Sequence, residues 1–317
     1  AINVVAAVFA VCRLATAMGA TRNERVLLTL AGLGFVPLAY ALWQGQLSAV
    51  HLLALTEAVL ALRAGAERKA GLWLLVGLLK PQTSVATVLG LLALRRWRAL
   101  QSFAAGCGVL LTASWFAFGN WIPAYLSFMA DFMNSTGPMR ESVAAMYNWR
   151  AVVFGLLGTD RSPAALGLLG ALSAFSLLAA AMICGPRAGR PRASWEVRLA
   201  VALLLGHLAN PHAYLHALTV ALVPGFMLWR AAAGPGTRRQ MVRAVLAAAP
   251  FAAVVAPVWR SAGPLAIGPA YIVILLLVVG WAWPQLMEGA AVQADPVPAG
   301  SGPEWESDSQ RDAPAAA

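Results

Sequence analysis

Nine apolar runs follow one another almost from end to end of the chain: Ala1–Ala20, Val26–Trp43, Leu47–Leu62, Ala70–Leu94, Ala99–Phe118, Pro163–Cys184, Leu199–Trp229, Ala244–Trp259 and Pro269–Met287. Several have the roughly 20 residues that a helix needs to cross a hydrocarbon core about 30 Å thick. With 60% apolar and 11% charged residues and a mean hydropathy of +0.70, an ordinary soluble domain is excluded. The pattern predicts an all-α, polytopic membrane helix bundle of about 10–11 transmembrane or half-membrane helices. It spans residues 1–287 and is followed by a tail at 288–317.

The charges give this bundle a direction. Basic residues gather at Arg22/Arg25, Arg63/Arg68/Lys69, Arg95/Arg96/Arg98, Arg187/Arg190/Arg192/Arg198 and Arg230/Arg238/Arg239/Arg243. The positive-inside rule places all five clusters in the cytoplasm. Two runs, Ala70–Leu94 and Leu199–Trp229, have positive charge on both sides and must enter and leave by the same face. Each carries a breaker near its middle, Lys80-Pro81 in one and Asn210-Pro211-His212 in the other. Each is therefore expected to be two short helices meeting at a polar turn. The opposite face then collects Gln44-Gly45-Gln46, Lys80-Pro81-Gln82, an outer loop at 119–161, Asn210–His212 and Ser261–Gly268.

Lys80 stands out among these. A lone cation inside an apolar run costs several kcal/mol and persists mainly where it faces a polar cavity with a partner. Pro81 cannot donate its backbone N–H or continue a helix cleanly. The pair reads as a broken membrane helix that aims an ammonium at something anionic, the alternative being a lysine that snorkels to the headgroups.

The formal charge of +10 does not mark a nucleic-acid binder. The tail holds six acids against one base, leaving +15 for the rest, mostly in short loops beside helix ends. That distribution suits topology and contact with anionic membrane lipids. The tail, rich in Pro, Ala, Ser and Asp, is expected to be disordered and cytoplasmic. Cys12, Cys107 and Cys184 all lie in apolar runs without metal-ligand spacing, so no metal site and no cofactor is read from them. The chain begins with Ala1 inside an apolar helix, which reads as a fragment that has lost its N-terminal part.

In order along the chain, the polar punctuation is Gln44-Gly45-Gln46, Lys80-Pro81-Gln82, Arg95-Arg96-Trp97-Arg98, Gly119 with Trp121 and Tyr125, Asn148-Trp149-Arg150, and Asn210-Pro211-His212-Ala213-Tyr214. This succession resembles glycosyltransferase family 87, polytopic enzymes of the GT-C superfamily, over roughly residues 26–230. The resemblance implies a GT-C-like membrane glycosyltransferase of the hexosyltransferase type. It would move a hexose or pentose, mannose-like, from a polyprenyl-phosphate donor to a lipid or glycan acceptor. It would be integral to the bacterial cytoplasmic (plasma) membrane, with its site facing outward. GT-C enzymes generally carry an essential acid in the first large outer loop. None of Asp131, Glu141 or Asp160 matches it, so the catalytic base is expected upstream of Ala1 and the fragment is expected to be inactive.

The chemistry of such a transfer selects candidates. Negative charge builds on the leaving phosphate, and preorganised cations and hydrogen-bond donors stabilise it best in a poorly hydrated pocket. Lys80 supplies a point charge, His212 a hydrogen bond or a proton, and Arg150, beside Asn148, a bidentate contact. Gln46, Gln82 and Tyr214 complete the set expected around the donor phosphate or sugar. Trp121 and Tyr125 either stack on a sugar or anchor the loop. His51 reads as structural, and Glu57 as the partner of Lys80 or Arg63 or as a catalytic acid. The competing reading is a transporter or lipid flippase with a midplane site at the broken helices. Against it, no repeat relates the two halves, and the 43-residue stretch Gly119–Arg161 suits a lipid-facing enzyme loop.

Overall fold

Two hairpins organise the bundle. In a computed structural model of the chain, residues 1–19, 21–134, 143, 146–159, 162–185, 195–248 and 267–292 are described. Glu141, Asp160, Arg161 and the tail beyond Val292 lie outside them. The helices are α1 (Ile2–Met18), α2 (Arg22–Leu33), α3 (Val36–Trp43), α4 (Ser48–Arg63), α5 (Glu67–Leu74), α6 (Pro81–Ala93), α7 (Trp97–Phe118), α8 (Trp121–Asn134), α9 (Trp149–Leu157), α10 (Pro163–Cys184), α11 (Trp195–Ala209), α12 (Leu222–Ala231), α13 (Thr237–Ala247) and α14 (Ile267–Val292). Two 3₁₀ segments, Leu75–Leu79 and Leu215–Ala221, sit beside the two breaks. Among the described residues there is no strand, only an isolated antiparallel bridge between Met146 and Tyr214. The all-α membrane bundle expected from the apolar runs is what forms.

The first hairpin is α5 and its 3₁₀ extension, an apex at Lys80, and α6. Lys80 leaves the helical region (φ −140°, ψ 73°), and Pro81 opens α6 at a position where the N–H it lacks would have had no helical partner. The second is α11, an apex at Asn210–Tyr214, and the 3₁₀ segment leading into α12. An ion pair closes the first hairpin on itself, and the two ends of the second are linked through Arg63 and the shared acceptor Ala17 O. Arg96, just after α6, meets Glu67 at the start of α5 at 2.9 Å. Arg63 meets Glu196 at the start of α11 at 3.0 Å. Arg63 and Arg230, at the end of α12, both donate to Ala17 O, at 3.0 and 2.8 Å. Both breaks are thus reversals, and the four hairpin ends meet at one end of the bundle.

That end gathers the other basic clusters too. Arg25 donates to Gly19 O, Arg198 to Cys184 O and Gly185 O, and Arg243 pairs with Glu24 at 3.0 Å. Arg243 lies over the Trp229 ring and Arg96 over Trp195, at 4.6 and 5.4 Å. Described arginines from all five basic clusters therefore meet at one end of the bundle, which we call the basic end.

Among the described residues, only α7 and α10, at 22 residues each, are long and apolar enough to cross a membrane alone. The run expected as one helix over Val26–Trp43 is instead α2 and α3, bent by 45°. Gly34 and Phe35 separate them, and Pro37 opens α3. Further apolar helices are Ile2–Met18, Pro81–Ala93, Leu215–Ala231 and Ala270–Leu286. The core lies where α1, α4, α11 and α12 meet around Leu14, Leu52, Leu199, Leu208, Met227 and Leu228, each fully buried. α7 stands at the periphery. It touches α5 where Gly71 packs directly on Ala99 and Ser102, and it leaves Val109, Leu111 and Phe116 on its outer face.

Candidate functional site at the hairpin apices

The two apices lie at the end opposite the basic residues. At about 1.5 Å per α-helical and 2 Å per 3₁₀ residue, α5 and its extension climb roughly 22 Å to Lys80. That climb is more than half of a hydrocarbon core about 30 Å thick.

Lys80 Nζ donates to Gln46 Oε1 at 3.2 Å and to Ser48 Oγ at 3.1 Å. Gln46 lies in the turn between α3 and α4, where Gly45 adopts φ +67°, a conformation that favours glycine, and Ser48 opens α4. Two of the three ammonium donors thus have neutral acceptors. Thr83, one turn into α6, donates its hydroxyl to Lys80 O at 2.7 Å and faces His51 Nδ1 at 3.0 Å. Because the Thr83 proton goes to Lys80 O, the His51 ring N–H is the donor in that contact. His51 therefore braces the apex from α4. Gln82 follows Pro81, half-buried.

The second apex is held by a strap. Asn148 is buried, and both ends of its amide are bound within the protein. Nδ2 donates to Asn210 O at 2.7 Å, and Oδ1 caps α9 by accepting from Ala151 N. Tyr147 N donates to Ala213 O, and Met146 bridges Tyr214. Within the turn, Asn210 Oδ1 accepts from His212 N at 3.0 Å, and the rings of Tyr214 and His216 stack at 5.9 Å. Arg150 follows in the first turn of α9, half-buried, beside Trp149, whose Nε1 donates to Ser176 Oγ on α10.

The apices share a cavity. His51 and Thr83 from the first, and His207 and Asn210 from the second, line a space of about 20 Å³. Leu204 and Ala221 form part of its wall and also face a larger apolar cavity of about 250 Å³. This second space runs from Tyr147 and Phe35 past Leu218 and Phe226 to Trp229 near the basic end.

The described carboxylates are elsewhere. Glu24, Glu67 and Glu196 are tied to arginines at the basic end. Glu57 forms a two-pronged pair with Arg13 of α1, at 2.8 and 3.2 Å, so its partner is neither Lys80 nor Arg63. Asp131 is exposed on α8. On the same helix Trp121 donates to Ser114 of α7 and packs edge-on to Tyr125 at 6.0 Å, a brace between α7 and α8.

The sequence profile of glycosyltransferase family 87 matches residues 1–211, from the first helix to the second apex. The chain belongs to that family. It is a membrane glycosyltransferase, as the order of its polar motifs implied, and Gln46, Lys80, Gln82, Asn148, Arg150 and Asn210 fall within the match, while His212 and Tyr214 lie just beyond it. No curated protein and no solved structure shows significant similarity to the chain. His207 and Thr83 line the shared cavity without standing in any of the polar motifs, and His51, expected to be structural, braces the first apex. The available signal for His207 was an ionisable residue inside an apolar helix, three residues before the Asn210 break.

Asn148 offers a test of the strap. Asn148→Ala removes the cap of α9 and leaves a buried carbonyl at Asn210 unpaired, a cost of about 1–3 kcal/mol. The melting temperature of the detergent-solubilised protein should fall by several degrees, at roughly 2–4 °C per kcal/mol. Asn148→Asp keeps the capping oxygen but loses the donor to Asn210, and should not restore stability. A wild-type melting curve for Asn148→Asp would remove the clamp from the account.

Proposed function

We propose that the enzyme transfers a hexosyl or pentosyl unit from a polyprenyl-phosphate donor to a lipid or glycan acceptor, with the hairpin apices gripping the donor phosphate on the outer side of the bacterial plasma membrane. The observation that carries this reading is the Lys80 ammonium. It stands at an apex, held by two neutral oxygens, while every buried or half-buried carboxylate described is paired with an arginine elsewhere. A cation so placed can accept an anion without first breaking an ion pair.

In this mechanism the acceptor oxygen attacks the anomeric carbon as the bond from that carbon to the phosphate oxygen breaks, with inversion. The acceptor proton leaves to a carboxylate outside the described residues. Lys80 takes up the charge that grows on the leaving phosphate. Gln46 and Gln82 flank it on the first apex; His212, Tyr214 and Arg150 approach from the second, on the frame that Asn148 fixes. The apolar cavity beyond Leu204 and Ala221 supports a lipid-linked donor, since its lining is made of aliphatic and aromatic side chains and it abuts the polar cavity. The outward orientation is supported by the arginines, which gather at the far end of the bundle.

The test is transfer from a radiolabelled polyprenyl-phosphate sugar in sealed membrane vesicles of known sidedness containing the complete protein. Labelled product should form on the surface that bears the apices and should need the lipid-linked donor. Equal transfer from a nucleotide sugar with no lipid carrier would refute the proposal.

A further inference from the structure

The small cavity between the apices holds two polar groups that the hydrogen bonds above leave over. His207 is 6% exposed and Asn210 is 3% exposed. His207 Nε2 and Asn210 Nδ2 are buried with no partner in the protein. Buried polar atoms are almost always hydrogen-bonded, to protein or to an ordered water. A site suits a water when it offers about one probe sphere of room, some 10–15 Å³, and two to four polar partners. This one offers about 20 Å³, with Thr83 and His51 on the facing wall.

We infer that one buried water sits between Asn210, His207 and Thr83 and completes a hydrogen-bonded chain from the second apex to the first. Every link can be assigned. His212 N–H donates to Asn210 Oδ1. Asn210 Nδ2 donates to the water. The water gives one proton to His207 Nε2 and the other to the remaining lone pair of Thr83 Oγ1. Thr83, which already accepts from His51, donates to Lys80 O. The chain runs from the backbone of His212 to the backbone of Lys80. Thr83, His207 and Asn210 are positioning residues: they touch no substrate but fix the apex from which the ammonium projects. This role for Lys80 rests on the proposed function; the water itself does not.

The experiment is a double-mutant cycle between Thr83→Val and His207→Leu, read in two ways on the full chain. Thr83→Val keeps the shape and removes the hydroxyl. Each single variant should lower kcat for transfer about 10-fold with a much smaller change in donor KM, since a misaimed Lys80 weakens the transition state more than binding. The double variant should also lose about 10-fold, not about 100-fold, because one lost partner already breaks the chain. Thr83→Ser, which keeps the hydroxyl, should stay within about twofold of wild type. Melting temperatures of the solubilised proteins should show the same shortfall from additivity, a readout that holds whatever reaction the enzyme performs. Additive melting shifts would overturn the water bridge. Coupled melting shifts with no loss of kcat would keep the water but overturn the positioning role, and an absence of sugar transfer in the wild type would overturn only the proposed function. If the variants do not fold, a high-resolution map of the wild type decides: a density peak within hydrogen-bond distance of His207 Nε2 and Asn210 Nδ2 supports the site, and a clean cavity sinks it.

Discussion

Replacing Lys80 by methionine should abolish most sugar transfer, with a fall of about 10²-fold or more in kcat, the usual scale for losing one preorganised transition-state contact. The substitution keeps an unbranched side chain of similar length and removes the charge. Membrane insertion should not suffer, because the hairpin becomes more apolar. The two hydrogen bonds to Gln46 and Ser48 disappear as well, but both acceptors lie beside the α3–α4 turn and the apex keeps its Thr83 tie. Lys80→Arg should recover only part of the rate, since a planar fork does not reproduce a compact ammonium between two close oxygens. The assay is transfer from a labelled polyprenyl-phosphate sugar by the complete protein in membranes. A Lys80→Met enzyme with wild-type kcat would return the lysine to a structural part in the α3–α4 contact.

The second large effect is on folding. α6 and α11, one limb from each hairpin, approach so closely at Gly206 that a Cβ there would collide with Ala86 Cβ. Both residues sit on helix backbone, so neither can swing aside as a long side chain would. Gly206→Leu should therefore cost about 3 kcal/mol or more, at or beyond the upper part of the range for an overpacked core. At roughly 2–4 °C per kcal/mol that lowers the melting temperature by about 10 °C. Gly108→Leu is the matched control, because on the outer face of α7 a Cβ meets nothing within 4 Å. It should leave stability unchanged or slightly raised, since leucine favours a helix more than glycine does. If Gly206→Leu melts like the wild type, α6 and α11 do not pack as described.

The hairpins were legible in the sequence because two independent signals coincide there. A run bounded by arginine on both sides must return, and Lys80-Pro81 or Asn210-Pro211 shows where. The bend between α2 and α3 was also written, in Gly34 and Pro37, but lay hidden inside an unbroken apolar run. Gln46 could be placed near Lys80 from motif order alone, while Ser48 could not, because serine beside an apolar helix carries no distinct pattern. The contacts that shape the site join distant residues. Thr83 meets His51 across 32 positions, Asn148 meets Asn210 across 62, and Glu57 meets Arg13 across 44. Local periodicity holds no information on such pairs; only the packing of α4 against α1 and the first hairpin, and of the strap against the second apex, brings them together. Thus Asn148, singled out as a polar group near the site, proves to be bound at both ends of its amide to the protein.

The two ends of the bundle are joined by different kinds of bond. Glutamates at the starts of α5 and α11 are riveted to arginines at the ends of other helices, so shifting a hairpin base means separating charges in a half-buried setting. At the apices no such ion pair is described, and the two ties that hold the ammonium itself, to Gln46 and Ser48, end on neutral oxygens. A hydrogen bond to a neutral oxygen is nearly matched in free energy by one to an incoming polar ligand, whereas a broken ion pair is not. The molecule therefore resembles a pair of tongs with a welded pivot and unbolted tips: its grip can reshape around successive occupants while the frame that aims it stays where it is.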